Sequence, residues 1–318
     1  MYYIGIDLGG TNIVAGVLDE NYQIINKVKV KTNLPRSAED IINDMAKVAT
    51  MAVSNCNITF DDIEWIGVGT PGIANQQTGI VEFSGNLDWH NVPLCQMLSD
   101  RLNKKIYMEN DANAAAYGEY VAGSAKDANI SIMITLGTGV GGGLIINNSI
   151  YHGFNFAGAE MGHIVINVDG RQCSCGRKGC LETYASATGL IVSTKEAMQQ
   201  NKNSLMWNLC HNDISNVNGV TAFDAMHKGD LSAKKVVDDY IKYLGCGIAN
   251  FINIFQPDIL SIGGGICNEG DNLLTPLKEY VAKEIYTRNS KNNTKIVTAS
   301  LGNDAGIIGA ALLGKCER

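Results

Sequence analysis

Long apolar runs are missing from this 318-residue sequence; none reaches the ~18 residues that a membrane-spanning helix needs. The start, Met1-Tyr2-Tyr3-Ile4-Gly5, lacks a basic stretch followed by an apolar one. No export signal and no membrane partner are therefore expected, and the expected compartment is cytoplasmic. A basic surplus is missing too. Lys and Arg number 25 against 32 Asp and Glu, a net charge of −7, which argues against nucleic acid as a partner. Phosphate sites stay open, because backbone N–H groups build these without basic side chains. Proline is scarce, at five residues, so the 35 glycines do not belong to a low-complexity coil. Glycine makes up about 11% of the chain, above the usual ~7%. Such an excess points to tight turns and to backbone placed close to ligands.

What is present is a globular composition, 45% hydrophobic and 18% charged, in a chain long enough for two domains. The chain repeats itself once. Tyr3 to Asp7 reads as a short buried strand, Gly9-Gly10-Thr11 turns it, Ile13 to Leu18 returns, and Ile24 to Val30 alternates as a third strand. Ile132 to Leu136, Gly137-Thr138-Gly139 and Gly142 to Ile146 repeat this pattern without a gap, so that Asp7 falls on Thr135, Gly9 on Gly137 and Asp19 on Asn147. Two such units imply a pair of related α/β domains facing each other. Helical spacing is read over Glu39–Val53, Asp111–Ala122, Ala233–Ile254 and Ala305–Leu313. The domain boundary is placed after the helix ending near Gly123, giving an N-terminal domain over 1–122.

Three phosphate-loop patterns fail on context. Gly137-x-Gly139-x-x-Gly142 and Gly67-x-Gly69-x-x-Gly72 match a dinucleotide fingerprint, but neither opens a helix at its third glycine. Gly309-x-x-x-x-Gly314-Lys315 ends in Cys316 instead of Ser or Thr and lies in an apolar helix. The sites retained are others. Asp7 stands at the end of a buried strand beside a bare-backbone turn, where a carboxylate can hold Mg2+. Gly9 to Thr11 and Gly137 to Gly139 are placed to clamp phosphates, and Gly263-Gly264-Gly265 follows the strand Ile259 to Ile262 where an adenosine can lie on backbone. Strand-borne glycine turns in this order resemble those of the actin, sugar kinase and heat-shock ATPase superfamily, whose members bind ATP in a cleft between duplicated domains.

Asp111 begins a helix within Glu109-Asn110-Asp111-Ala112-Asn113. Asp in that setting is ordinarily an N-cap; phosphoryl transfer offers a second role, a general base for the acceptor hydroxyl. Nine cysteines are present. Six are scattered (Cys56, Cys95, Cys210, Cys246, Cys267, Cys316) and read as packing thiols of a reducing compartment. The other three, Cys173, Cys175 and Cys180, follow His163 at close spacing. Three thiolates and one imidazole form a closed tetrahedral set suited to structural Zn2+. Zinc there would fix Glu160 and Glu182, two candidate acceptors for sugar hydroxyls.

Together these motifs resemble the ROK family, which joins bacterial sugar kinases and sugar-responsive repressors. The matching residues are Asp7-x-Gly9-Gly10-Thr11, Pro71-Gly72, Asn86-Leu87-x-Trp89, Asn110-Asp111-Ala112-Asn113-Ala114, Gly137-Thr138-Gly139-x-Gly141, Glu160-x-Gly162-His163, the cysteine loop with Glu182, and Gly263-Gly264-Gly265. The resemblance implies an α/β fold of two duplicated actin-like (ribonuclease H-like) domains with an interdomain cleft. Asn303-Asp304-Ala305-Gly306 resembles the stretch where the family's last helix, here 304–318, returns to complete the N-terminal domain, leaving 123–303 as the C-terminal domain. The implied activity is phosphorylation of a hexose by ATP, glucose first, with N-acetylmannosamine, N-acetylglucosamine, fructose and allose as alternative acceptors and polyphosphate as an alternative donor. Asp111 would be the catalytic base. Asn86, Asn110, Glu160, His163 and Glu182 would bind the other hydroxyls, with His163 also on zinc. Asp7, Gly9, Gly10, Thr11, Asn12, Thr138 and Gly139 would serve the phosphates and Mg2+, and Gly264 and Gly265 the adenosine. Asn12 stands where many members have Lys. Family members form homodimers or homotetramers. The repressors carry a helix-turn-helix domain ahead of the Asp-x-Gly-Gly-Thr turn, and with that Asp at residue 7 a repressor is not expected.

Overall fold

The structure, a computed structural model, describes residues 1–316. Strand β1 (Tyr2–Leu8) buries Ile4, Ile6 and Leu8 on one face and Tyr3 on the other. It turns into β2 (Asn12–Leu18), followed by β3 (Ile24–Lys31). Helix α1 (Ala38–Ser54) is capped by Ser37, whose side chain accepts the Asp40 N–H, and it buries Ile41, Ile42, Met45, Val48, Ala49 and Ala52. Strand β4 (Ile63–Thr70) leads to a small three-stranded sheet of β5 (Ile73–Asn75), β6 (Ile80–Ser84) and β7 (Trp89–Val92), ordered β5-β6-β7. Helix α2 (Leu94–Leu102), β8 (Ile106–Asn110) and α3 (Asp111–Ala122) follow. The large sheet has the order β3-β2-β1-β4-β8; β1 runs antiparallel to β2 and parallel to β4.

The repeat is realised strand for strand. Strand β9 (Ile130–Leu136) and β10 (Val140–Ile146) match β1 and β2 in length and in the register that sets Asp7 on Thr135. The third member is shortened to β11 (Ser149–Ile150). Beyond the cysteine loop come α4 (Glu182–Ala185), α5 (Ala187–Gln200), α6 (Leu205–Leu209), α7 (Thr221–His227), α8 (Leu231–Phe255), β12 (Ile259–Gly263), α9 (Asp271–Glu284) and β13 (Lys295–Thr298). The second sheet is ordered β11-β10-β9-β12-β13, the same topology as the first. The last element is α10 (Ala305–Cys316); the remainder of the expected 304–318 segment, residues 317 and 318, lies outside the described residues. The chain divides into two compact units, one of 1–133, 142–159 and the chain from Ala299, the other of 134–141 and 160–298. Among the described residues no helix is long and apolar enough to cross a membrane.

The rejected phosphate-loop patterns sit as their context requires: Gly142 lies inside β10, Gly72 precedes β5, and Gly309 to Lys315 lies inside α10. Helix α10 is apolar nearly all round, and bare backbone lets it lie directly on the first sheet. A Cβ on Gly67 of β4 would stand 1.7 Å from the Ala310 carbonyl oxygen, and one on Gly5 of β1 1.9 Å from that of Ile307. Trp65 closes the contact by donating its indole N–H to the Ala311 carbonyl at 2.8 Å. The atoms opposing a Cβ at 67, the Ala310 carbonyl and the Ala311 nitrogen, are all backbone, so no rotamer change relieves the overlap. Gly67→Ala is expected to lower unfolding stability by ~3 kcal/mol, the upper part of the overpacking range, read by urea denaturation. Unaltered stability would contradict this close approach.

Candidate active site

In the first unit the site begins with how α3 starts. Asn110 is its cap: its side-chain oxygen accepts the Ala112 N–H at 2.9 Å and the Asn113 N–H at 3.3 Å, while its amide donates to the Gly72 carbonyl at 3.2 Å. Capping thus falls to Asn110, not to Asp111, which is the first helical residue. The Asp111 carboxylate accepts its neighbour's N–H, from Ala112 at 2.9 Å. Burial pushes its pKa above the ordinary carboxylate value, opposed by the Ala112 N–H. Asp7, at the end of β1, is pushed up to about 6, first by burial and then by the charge of Asp111. The Asp7 carboxylate also lies at the start of α10, where a Cβ on Gly306 would stand 3.3 Å from it. Two crowded carboxylates near a helix N-terminus form a place where a cation or a proton is stabilised.

Beside them the β1–β2 turn is held open. Gly9 donates its N–H to the Asn12 carbonyl at 2.9 Å, Thr32 Oγ1 donates to the Gly9 carbonyl at 2.7 Å, and Gly10 and Thr11 face solvent. Asn12 Oδ1 is buried without a hydrogen-bond partner, a polar atom that calls for a donor or a cation. Asn86 sits on the exposed turn between β6 and β7.

A further carboxylate was passed over in the sequence. Glu109, next to the last residue of β8, is almost fully buried. Its Oε1 accepts the Asn110 N–H at 2.8 Å and the Asn113 amide at 3.0 Å; its Oε2 meets the Gln76 amide and stands 3.0 Å from His152 Nδ1. This network braces the strand-to-helix joint that carries Asn110 and Asp111. The one sequence signal was a Glu closing an otherwise apolar strand, Ile106-Tyr107-Met108-Glu109.

In the second unit, His163 ends a short helical turn (Met161–His163), and its Nδ1 lies 3.6 Å from Cys173 Sγ. Cys175 Sγ lies 3.6 Å from Cys180 Sγ, and the four ligand atoms all fall within 4.8 Å of one another. Tetrahedral thiolate ligands at Zn–S ≈ 2.3 Å are separated by ~3.8 Å, so this donor set fits a zinc ion. The loop is shaped for it. Gly176 has φ +89°, and Gly179 has φ +72° with its α-carbon pressed onto the Asn167 carbonyl, where a Cβ would come within 1.5 Å. Glu160 is exposed at the start of the His163 turn. Glu182 begins α4, and its Oε2 accepts the Val140 N–H at 2.9 Å. Gly137 and Thr138 are exposed, Gly139 lies against Glu182, Gly264 (φ +102°) lies against the Leu136 carbonyl, and Gly265 is open on its α-carbon.

The raised Asp7 pKa fixes a sign for stability. Its folded value, about 6, lies above the ordinary 3.8, so its contribution is fully present below pH 3.8 and is lost as pH rises through 6. Asp7→Asn is therefore expected to stabilise the ligand-free protein at pH 7 by up to ~3 kcal/mol, with no gain below pH 4. Thermal unfolding across pH 4–7.5 checks this; equal stabilisation at both ends would contradict it.

Known proteins place this geometry. The chain is 37% identical to a glucokinase of Thermotoga maritima over 98% of this chain and 96% of that one. It is 31% identical to a xylose repressor of Bacillus spizizenii over 97% of this chain and 75% of the repressor. Among solved structures it superposes on a ROK family glucokinase from Streptomyces griseus, in complex with glucose and AMPPNP, with a TM-score of 0.83 and 33% identity, covering 98% of this chain and 99% of that one. The duplicated strand units are those of the actin-like two-domain fold. Residues 3–317 match the ROK family, and the chain belongs to that family.

Proposed function

We propose that this protein transfers the γ-phosphoryl group of ATP to the 6-hydroxyl of glucose, as a cytoplasmic homodimer or homotetramer. The observation that carries the chemistry is Asp111: a helix-initiating carboxylate relieved of capping by Asn110, with its pKa raised by burial. A raised pKa makes it a better proton acceptor at neutral pH. Asp111 takes the hydroxyl proton as the sugar oxygen bonds to the γ-phosphorus, and the bond from that phosphorus to the bridging oxygen breaks to release ADP. The relatives support glucose and ATP as the pair, since curated glucokinases match over nearly the whole chain and the Streptomyces griseus enzyme holds glucose and AMPPNP.

The remaining roles follow residue by residue. Asn86, Asn110, Glu160, His163 and Glu182 bind sugar hydroxyls; Gly9, Gly10, Thr11, Asn12, Thr138 and Gly139 present backbone and hydroxyl donors to phosphates; Gly264 and Gly265 lie under the adenosine. Asp7 holds Mg2+, whose positive charge neutralises the phosphates when it is bound. His163, Cys173, Cys175 and Cys180 hold Zn2+ and fix the loop.

The test is ADP release with Mg-ATP over glucose, N-acetylmannosamine, N-acetylglucosamine, fructose, mannose and allose. The highest kcat/KM is expected with glucose, and Asp111→Asn is expected to lower kcat by at least ~100-fold, the lower end for loss of a general base. A higher kcat/KM with another sugar corrects the acceptor. No sugar-dependent release at all would refute the kinase reading.

A further inference from the structure

In the second unit the glycine turn between β9 and β10 and the cysteine cluster are not separate features. Two backbone contacts and one carboxylate bind them together. The Glu182 side chain, two residues beyond Cys180, accepts the Val140 N–H at 2.9 Å through Oε2, while its Oε1 stands 4.0 Å from Cys173 Sγ. Gly139 has to be glycine for this contact, because a Cβ there would stand 2.2 Å from the Glu182 oxygen. On the other side of Val140, the Glu-x-Gly-His segment presses in: a Cβ on Gly162 would lie 2.2 Å from the Val140 carbonyl oxygen. The far end of the turn is held by the Ala187 N–H, donated to the Gly137 carbonyl at 2.9 Å, just after α4. The cysteine loop itself is zipped to the His163 segment by the Leu181 N–H on the Ile164 carbonyl at 2.8 Å and by the Val165–Cys180 bridge.

We infer that Glu182 is a positioning residue for the nucleotide: its carboxylate is a strut through which the metal-bound loop sets the Gly137-Thr138-Gly139 turn. This rests on the kinase reading above and extends it, because that reading gave Glu182 to the sugar. An exposed turn of two glycines around a threonine has no packing of its own to hold it. Its N–H groups face a phosphate in a fixed array only if something behind them is rigid, and Glu182, Gly162 and Ala187 supply that backing. Zinc occupancy then governs affinity for the nucleotide as well as for the sugar.

Two variants separate the strut from a sugar contact. Glu182→Gln keeps a carbonyl oxygen that accepts the Val140 N–H, whereas Glu182→Ala removes the acceptor. Affinity for AMPPNP with Mg2+, measured by titration calorimetry without sugar, is expected to fall about tenfold in Glu182→Ala, the loss of one charge-assisted hydrogen bond, and to stay within about twofold in Glu182→Gln. Amide hydrogen exchange at Val140 is expected to quicken in Glu182→Ala and in protein stripped of zinc by a chelator, with Glu182→Gln near wild type. Wild-type exchange at Val140 in Glu182→Ala would overturn the strut. Quickened exchange with unchanged AMPPNP affinity would overturn its role in nucleotide binding. A wild-type protein that binds no AMPPNP would overturn the kinase reading instead, a separate result from either.

Discussion

Two carboxylates that repel one another set the terms for the first unit. Asp7 closes β1 and Asp111 opens α3, and each is held away from bulk water by elements that cannot easily move. Burying like charges together is unfavourable unless a cation or a proton joins them. Such a pair suits the phosphate chemistry proposed above, in which one group meets a metal and one takes a proton. The bare-backbone approach of α10 onto Gly5 and Gly67 brings the start of that helix beside Asp7. The Glu109 network with Gln76, Asn113 and His152 then braces the joint carrying Asp111. Neither support touches a reacting atom; both make the crowded pair possible.

The second unit solves a different problem with different chemistry. It has a short turn to hold still, exposed at Gly137 and Thr138 between the buried Leu136 and Val140. Four side chains able to ligate a metal lie within eighteen residues, His163 to Cys180, and their ligand atoms are gathered within 4.8 Å of one another. Glycines at 162 and 179 let that loop lie against backbone at distances no side chain would allow, and Gly139 leaves room for the Glu182 carboxylate. With zinc held as proposed above, ligation would add rigidity to a loop whose Cys173, Cys180 and Leu181 are already buried.

Much of this was legible in the sequence because it is local. The two strand–turn–strand units share a register that two-residue strand periodicity exposes, and the strands Tyr2–Leu8 and Ile130–Leu136 follow it residue for residue. The Cys/His set was legible because its four members are close in sequence. The helix starting at Asp111 was placed correctly, while the ordinary capping role of an Asp there falls to Asn110, whose amide also reaches the Gly72 carbonyl between β4 and β5. Glu109 stayed hidden because its partners Gln76 and His152 lie 33 and 43 residues away. The tie from Glu182 to Val140 spans 42 residues and was hidden for the same reason. Long-range polar pairing leaves no period in a sequence.

The central claim is that Asp7 and Asp111 form one reaction centre. Carbon-detected NMR titration of the aspartate carboxyl groups tests it most directly. Asp7 is expected to titrate near pH 6 in the free protein, and to shift downward both in Asp111→Asn and on addition of Mg2+ with AMPPNP. An Asp7 that titrates near 3.8, indifferent to Asp111 and to the nucleotide, would contradict the account.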